Sequence, residues 1–248
     1  MRLLQQNKDS DFSLTEFVES DIPKYAILSH TWGAEEFTFK DLMESTSKSK
    51  AGYGKIQFCG EQAKRDGLRY FWVDTCCIDQ TNSVELQEAI NSMFRWYQKA
   101  TKCYVYMSDV SWPRTGSASG FNEPWESRFR ESKWFTRGWN LQELIAPASV
   151  EFFSKEGQLL GNKASLERHI CEVTGIPASA LRGSPLSDFS IAERMSWAAG
   201  REASRLEDKA YSLLGIFDIN MPLMYGEGIE NGMKRFRDKI DEAFKGKS

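Results

Sequence analysis

Histidine is scarce in this 248-residue sequence, with only His30 and His169, far apart along the chain, and of the five cysteines only Cys76 and Cys77 are close neighbours. Zinc sites gather ligands roughly two to four residues apart, and disulfide frameworks use even sets of spaced cysteines. Neither a structural metal nor a disulfide scaffold is therefore indicated. Long apolar runs are missing too: none approaches the roughly 20 residues of a membrane-spanning helix. Met1–Asp11 carries Arg2 but no apolar stretch of signal-peptide length. The expectation is a cytoplasmic chain with no membrane span. An excess of one charge is absent as well, with 32 Lys and Arg against 35 Asp and Glu and no block of five like charges. A general nucleic-acid face is thus not expected. No Gly-x-Gly-x-x-Gly follows a strand-like run, which disfavours a conventional dinucleotide oxidoreductase.

What is present is a globular composition. The hydrophobic fraction is 41% and the charged fraction 27%, far from the depleted hydrophobicity of disordered chains. The length suits one large domain, or one domain with a helical extension.

Along the chain, Tyr25–Ser29 is a short apolar run between Pro23 and the polar turn His30–Gly33, and reads as a buried strand. Ile56, Cys59, Gly60 and Ala63 then recur at helical spacing, with Gly67 placed as a C-terminal cap. Leu68–Val73 is a second strand, and its continuation Asp74–Gln80 turns polar. Leu86, Ala89, Ile90, Met93, Phe94 and Tyr97 make one apolar helical stripe, introduced by a capping box of Asn82 and Glu85. Cys103–Met107 is a third strand, Ser111–Pro124 a loop, Leu141–Ala146 a helix stopped by Pro147, and Val150–Phe153 a fourth strand. Such alternation predicts an α/β fold, an open parallel sheet with helices on both faces. From about Asn162 the pattern is helical only: Leu166, Ile170 and Val173 share a face, a second capping box joins Ser190 to Glu193, and a last amphipathic helix carries Ile229, Met233, Phe236 and Ile240. The expected organisation is an α/β domain over 1–155 and a helical C-terminal extension over 156–248, packed on it.

In an open parallel sheet the binding crevice lies beyond the carboxyl ends of the strands. The polar residues gathered there are the candidates: Ser29, His30, Trp32 and Gly33 after the first strand, Asp74 and Asp79 after the second, Ser108 and Asp109 after the third. Arg137, Trp139 and Glu143, entering the helix before the last strand, can reach the same edge.

Three strings carry a family resemblance. Tyr25-Ala26-Ile27-Leu28-Ser29-His30-Thr31-Trp32-Gly33, Trp72-Val73-Asp74-Thr75-Cys76-Cys77-Ile78-Asp79-Gln80 and Arg137-Gly138-Trp139-Asn140-Leu141-Gln142-Glu143-Leu144-Ile145-Ala146-Pro147 resemble, in order and roughly in spacing, the hallmark blocks of the fungal heterokaryon-incompatibility (HET) domain. Glu207–Phe217 and Met221–Gly228 resemble the segment that often follows it. That family is in turn similar, more distantly, to the TIR domains of innate immunity, which implies a TIR-like, flavodoxin-like sheet. Trp139-Asn140-Leu141-Gln142-Glu143-Leu144 matches the TIR string whose glutamate is catalytic in the members that hydrolyse NAD. The resemblance therefore implies a cell-death signalling domain that self-associates, with Glu143 as catalytic residue, Ser29, His30, Trp32, Gly33, Asp74, Asp79, Arg137 and Trp139 as substrate-binding residues, NAD as substrate and no cofactor. It also implies the alternative of a non-catalytic adaptor acting through TIR-like self-association.

Chemistry supports such a glutamate independently of the name. Breaking the ribose–nicotinamide bond passes through an oxocarbenium-like sugar that a nearby carboxylate stabilises, and the pyridine leaves without protonation. Trp32 and Trp139 can stack on a flat base, and amides of the Gly33 turn can meet phosphates. Plainer roles stand beside these. Glu143 suits a helix surface or a pair with Arg137, His30 a structural histidine, Asp74 and Asp79 turn caps. Cys76 and Cys77 also admit a thiol hydrolase in which His30 approaches a thiol and Asp74 orients the imidazole.

Overall fold

The computed structural model describes residues 1–7, 11–112 and 125–245. Its seven strands are β1 (Arg2–Gln6), β2 (Phe12–Glu16), β3 (Tyr25–His30), β4 (Tyr70–Trp72), β5 (Lys102–Tyr106), β6 (Val150–Phe153) and β7 (Leu159–Asn162). They form one sheet in the order β2-β1-β4-β3-β5-β6-β7. The four inner strands β4, β3, β5 and β6 are parallel and are the four expected from the sequence. Their order, second-first-third-fourth in the chain, is that of a flavodoxin-like sheet, with a switch point between β3 and β5. All six residues of β3 are buried, as a central parallel strand covered on both faces requires.

The hairpin β1–β2 and the strand β7 were not foreseen. They add antiparallel to the two ends of the parallel set, β1 on β4 and β7 on β6. β1 has only one adjacent apolar pair, Leu3 and Leu4, and β7 is four residues long with a glycine inside it, so neither carries the period-two pattern of a one-sided strand.

The helices follow the patterning closely. Ala51–Arg65 buries Ile56, Cys59, Gly60 and Ala63, and Gly67 beyond it takes a left-handed φ of 72°. Ser83–Lys99 buries Ala89, Ile90, Met93 and Tyr97, and the Asn82 side chain accepts from the Val84 and Glu85 amides. The expected capping box is only half formed, because the Glu85 carboxylate instead takes the Asp79 amide and pairs with Arg2. The Ser190–Glu193 box closes in both directions. The loop expected over Ser111–Pro124 lies, from residue 113 on, outside the described residues.

The C-terminal helices share the apolar core of the sheet: Ile170, Leu181, Tyr211, Leu214 and Phe236 belong to one continuous buried cluster with the strands. They lean mainly on the helix Ser83–Lys99. Asn91 holds both the amide and the carbonyl of Met221, and Gln87 accepts from the Leu223 amide. Closest of all is Gly215, where an added Cβ would fall 2.0 Å from the Phe94 Cβ, so only glycine permits this approach. Among the described residues no helix is long and apolar enough to cross a membrane.

Candidate active site

The carboxyl ends of β3 and β4 open into a cleft of about 150 Å³. Three parts of the chain build its walls. The strand ends give His30, Trp32 and Asp74; the stretch into the helix Asn140–Ile145 gives Arg137, Trp139 and Glu143; the C-terminal segment gives Ser204, Arg205, Asp208 and Tyr225. Leu86, Ile90 and Met93, from the apolar stripe of the helix Ser83–Lys99, line the apolar side.

Glu143 forms the floor and is only 4% exposed. It is neither a surface carboxylate nor an ion-pair partner of Arg137, and among the described residues it makes no salt bridge. Its partner is Ser29, fully buried at the end of β3, whose hydroxyl donates to Glu143 Oε2 at 2.5 Å. The Trp134 indole N–H donates to Ser29 Oγ at 2.8 Å, leaving the serine proton to point at the carboxylate. Burial pushes the Glu143 carboxyl up to about 8, and Asp74 adds to this, while Ser29, Tyr97 and Arg137 pull it back. The neutral acid therefore predominates at pH 7.

His30 sits beside this floor between two carboxylates, with Nδ1 3.9 Å from Asp74 Oδ1 and Nε2 3.5 Å from Glu36 Oε2. For Glu36 burial works against ionisation, but contacts to His30, to the Lys55 ammonium and to the Gly33 amide outweigh it and hold the group down to about 2. Lys55 is itself fastened to the Thr31 carbonyl at 2.9 Å, so this side of the site is rigidly wired. Asp74 is raised by its burial, although the Trp32 indole donates to it at 2.8 Å. Trp32 keeps 45% of its surface exposed at the rim.

Of the residues singled out from sequence, His30, Trp32, Asp74, Arg137, Trp139 and Glu143 line the cleft, and Ser29 supports Glu143 from beneath. Gly33 and Asp79 do not join them. The Gly33 amide is spent on Glu36 at 2.6 Å, and Asp79 caps its own turn through Thr81, whose hydroxyl and amide hold the carboxylate ionised. Asp109 likewise accepts from Ser132 and the Lys133 amide, away from the cleft. A thiol hydrolase is not built here. Cys76 donates to the Phe37 carbonyl, Cys77 takes the Val73 amide, and burial raises both thiols, Cys77 to about 12, so neither is a ready thiolate beside His30.

The wall from the C-terminal segment was missed. Asp208 accepts from the Tyr225 hydroxyl at 3.0 Å and from Trp139, and its burial raises it. Arg137 reaches the Ser204 hydroxyl at 3.1 Å, while Gly138 N–H donates to the Glu202 carbonyl at 2.8 Å and splices the two segments together. The only sequence signal for this wall was the pair of strings Glu207–Phe217 and Met221–Gly228, which contain Asp208 and Tyr225.

A family model described as heterokaryon incompatibility protein (HET) matches residues 25–120. Vegetative incompatibility protein HET-E-1 of Podospora anserina is 58% identical over 244 residues, covering 97% of this chain. The chain spans 18% of that relative's length. No solved structure matches the chain.

Proposed function

The chain belongs to the heterokaryon-incompatibility (HET) family, and from that premise we propose that it is the effector part of a fungal vegetative-incompatibility protein, promoting cell death by hydrolysing NAD in the Glu143 cleft. The observation that supports this most is the position of Glu143. A buried carboxyl lies at the floor of an aromatic-lined cleft, beyond the carboxyl ends of the parallel strands, with arginines towards one wall. We take residues 1–155 and 156–248 as one functional unit, since both supply that cleft.

The chemistry follows from the groups present. A nicotinamide ring lies between Trp139 and the apolar stripe, with its positive charge near Glu143 and Asp74. That charge favours the ionised carboxylate and lowers the affinity of Glu143 for its proton. The C1′–N1 bond breaks, both electrons go to the pyridinium nitrogen, and neutral nicotinamide leaves without needing a proton. Ionised Glu143 stabilises the ribosyl cation, held in line by the Ser29 hydrogen bond, and water adds at C1′ and gives its proton to solvent. In the free protein this requires Glu143 to lose its proton, so kcat/KM rises with pH and levels off above about 8.

The test is nicotinamide release from NAD by concentrated protein, wild type against Glu143→Gln, with far-UV circular dichroism showing both folded. Loss of about 100-fold or more in the variant is the expected result. No release by wild type, even when self-association is forced, would replace the hydrolase by an adaptor that signals through self-association without catalysis.

A further inference from the structure

The wall contributed by the C-terminal segment carries guanidiniums that no salt bridge among the described residues takes up, although Arg205 favours the charged forms of Asp208 and Glu207, and Arg137 that of Glu143. Among the described residues no carboxylate lies within ion-pair distance of either Arg137 or Arg205. Arg137 donates through Nη2 to the Ser204 hydroxyl at 3.1 Å, and Arg205 follows Ser204 directly, so two guanidiniums and a hydroxyl gather on one side of the cleft. Arg205 is exposed, yet its guanidinium carbon lies 4.2 Å from the centroid of the Tyr225 ring, which is anchored in turn by its bond to Asp208. Stacking of this kind leaves the guanidinium edges, with their N–H donors, free to receive an oxyanion. Asp74 and Glu143 line the same cleft with Trp139, and Asp208 lies on the wall of Arg205 itself. The cleft thus offers carboxylates and an aromatic ring to a flat cation, and two guanidiniums to an anion.

We infer that Arg137, Ser204 and Arg205 form a diphosphate subsite, which binds the pyrophosphate bridge of a dinucleotide while its pyridinium ring lies over Glu143. The inference rests on the reading of the cleft as an NAD site and adds to it a specificity device: ligands lacking phosphate are discriminated against by the C-terminal segment. Planar guanidiniums suit this role because each offers two parallel N–H donors to a phosphate. Asp208 is a positioning residue here, since it holds both Tyr225 under Arg205 and the Trp139 side chain.

The experiment separates binding from turnover by using ADP-ribose, which carries the diphosphate but no nicotinamide. Calorimetric titration of ADP-ribose and of adenosine into Glu143→Gln protein is compared with the same protein also carrying Arg205→Gln, Arg205→Lys or Arg137→Gln. Expected is a loss of ADP-ribose affinity of about tenfold or more for each glutamine variant, with partial recovery in Arg205→Lys and a weaker salt dependence, since charge-assisted bonds to the diphosphate are lost. Adenosine binding should be weak and unaffected. ADP-ribose affinity unchanged within about twofold in Arg205→Gln and Arg137→Gln, or adenosine bound as tightly as ADP-ribose, would overturn the subsite. Arginine-dependent ADP-ribose binding in a protein that never releases nicotinamide would retain the subsite and reject the hydrolase.

Discussion

Replacing Glu143 by glutamine should flatten the dependence of stability on pH. In the unfolded chain a glutamate loses its proton near 4.5, whereas burial of Glu143 postpones that loss in the native protein to about 8. Between these limits the native state holds a proton that the unfolded state has released. The stabilising contribution is therefore fully present below about 4.5, declines as pH rises, and levels off above about 8. Within the window the loss is about 1.4 kcal/mol for each pH unit. Between pH 5.5 and 7.5 the cost from this one group is roughly 2–3 kcal/mol, or on the order of 1 M in urea midpoint for a chain of this size. Glutamine keeps an oxygen that accepts from Ser29 and has no proton to lose, so the stability of Glu143→Gln relative to wild type should rise steadily between about pH 5 and pH 8. Urea melts of both proteins at the two pH values measure the effect as a difference of differences, from which other titrating groups cancel. Parallel pH profiles, agreeing within about 0.5 kcal/mol, would refute the reasoning, because Glu143 would then be ionised and solvated in the native state.

Two further substitutions probe the same architecture. Ser29→Ala removes the hydrogen bond that favours the charged form of Glu143, so the rise of kcat/KM for NAD should move to higher pH; a profile identical to wild type would show that Ser29 does not act through that carboxylate. Gly215→Ala places a methyl group against Phe94, and relief of that clash requires the C-terminal segment to move away from the helix Ser83–Lys99. About 1–3 kcal/mol should be lost in chemical denaturation, together with ADP-ribose affinity, since Arg205 and Tyr225 ride on that segment, and an unaltered melt would show that the contact is looser.

Much of this protein was legible from its sequence, for local physical reasons. Alternation of apolar strand runs with periodic helices specified the four parallel strands, because strands covered on both faces must be continuously hydrophobic and the connecting helices must bury one stripe. The polar ends of those strands pointed to one edge, and six of the eleven candidate residues do line one cleft there, with Ser29 immediately beneath.

Tertiary structure alone decided the rest. Whether an exposed-looking glutamate in a short helix is buried depends on what packs over it, and no spacing rule records that Ser29, Trp134 and Glu143, distant in sequence, meet in one hydrogen-bonded line. Gly33 and Asp79 had the right residue types at the right strand ends, but Glu36 and Thr81 took their bonding capacity first. Ile90 and Met93 are buried in the core with Leu86 packed against it, and that the same stripe also faces the cleft is something hydrophobic periodicity does not show. Arg205 had no local signature and Tyr225 only the string Met221–Gly228, since their place in the cleft depends on the packing of a distant segment, close at Gly215, against the helix Ser83–Lys99. Local patterning fixes which elements form and which way they face; which distant groups end up sharing one cavity, and hence their protonation and charge, is set by packing between elements far apart in the chain.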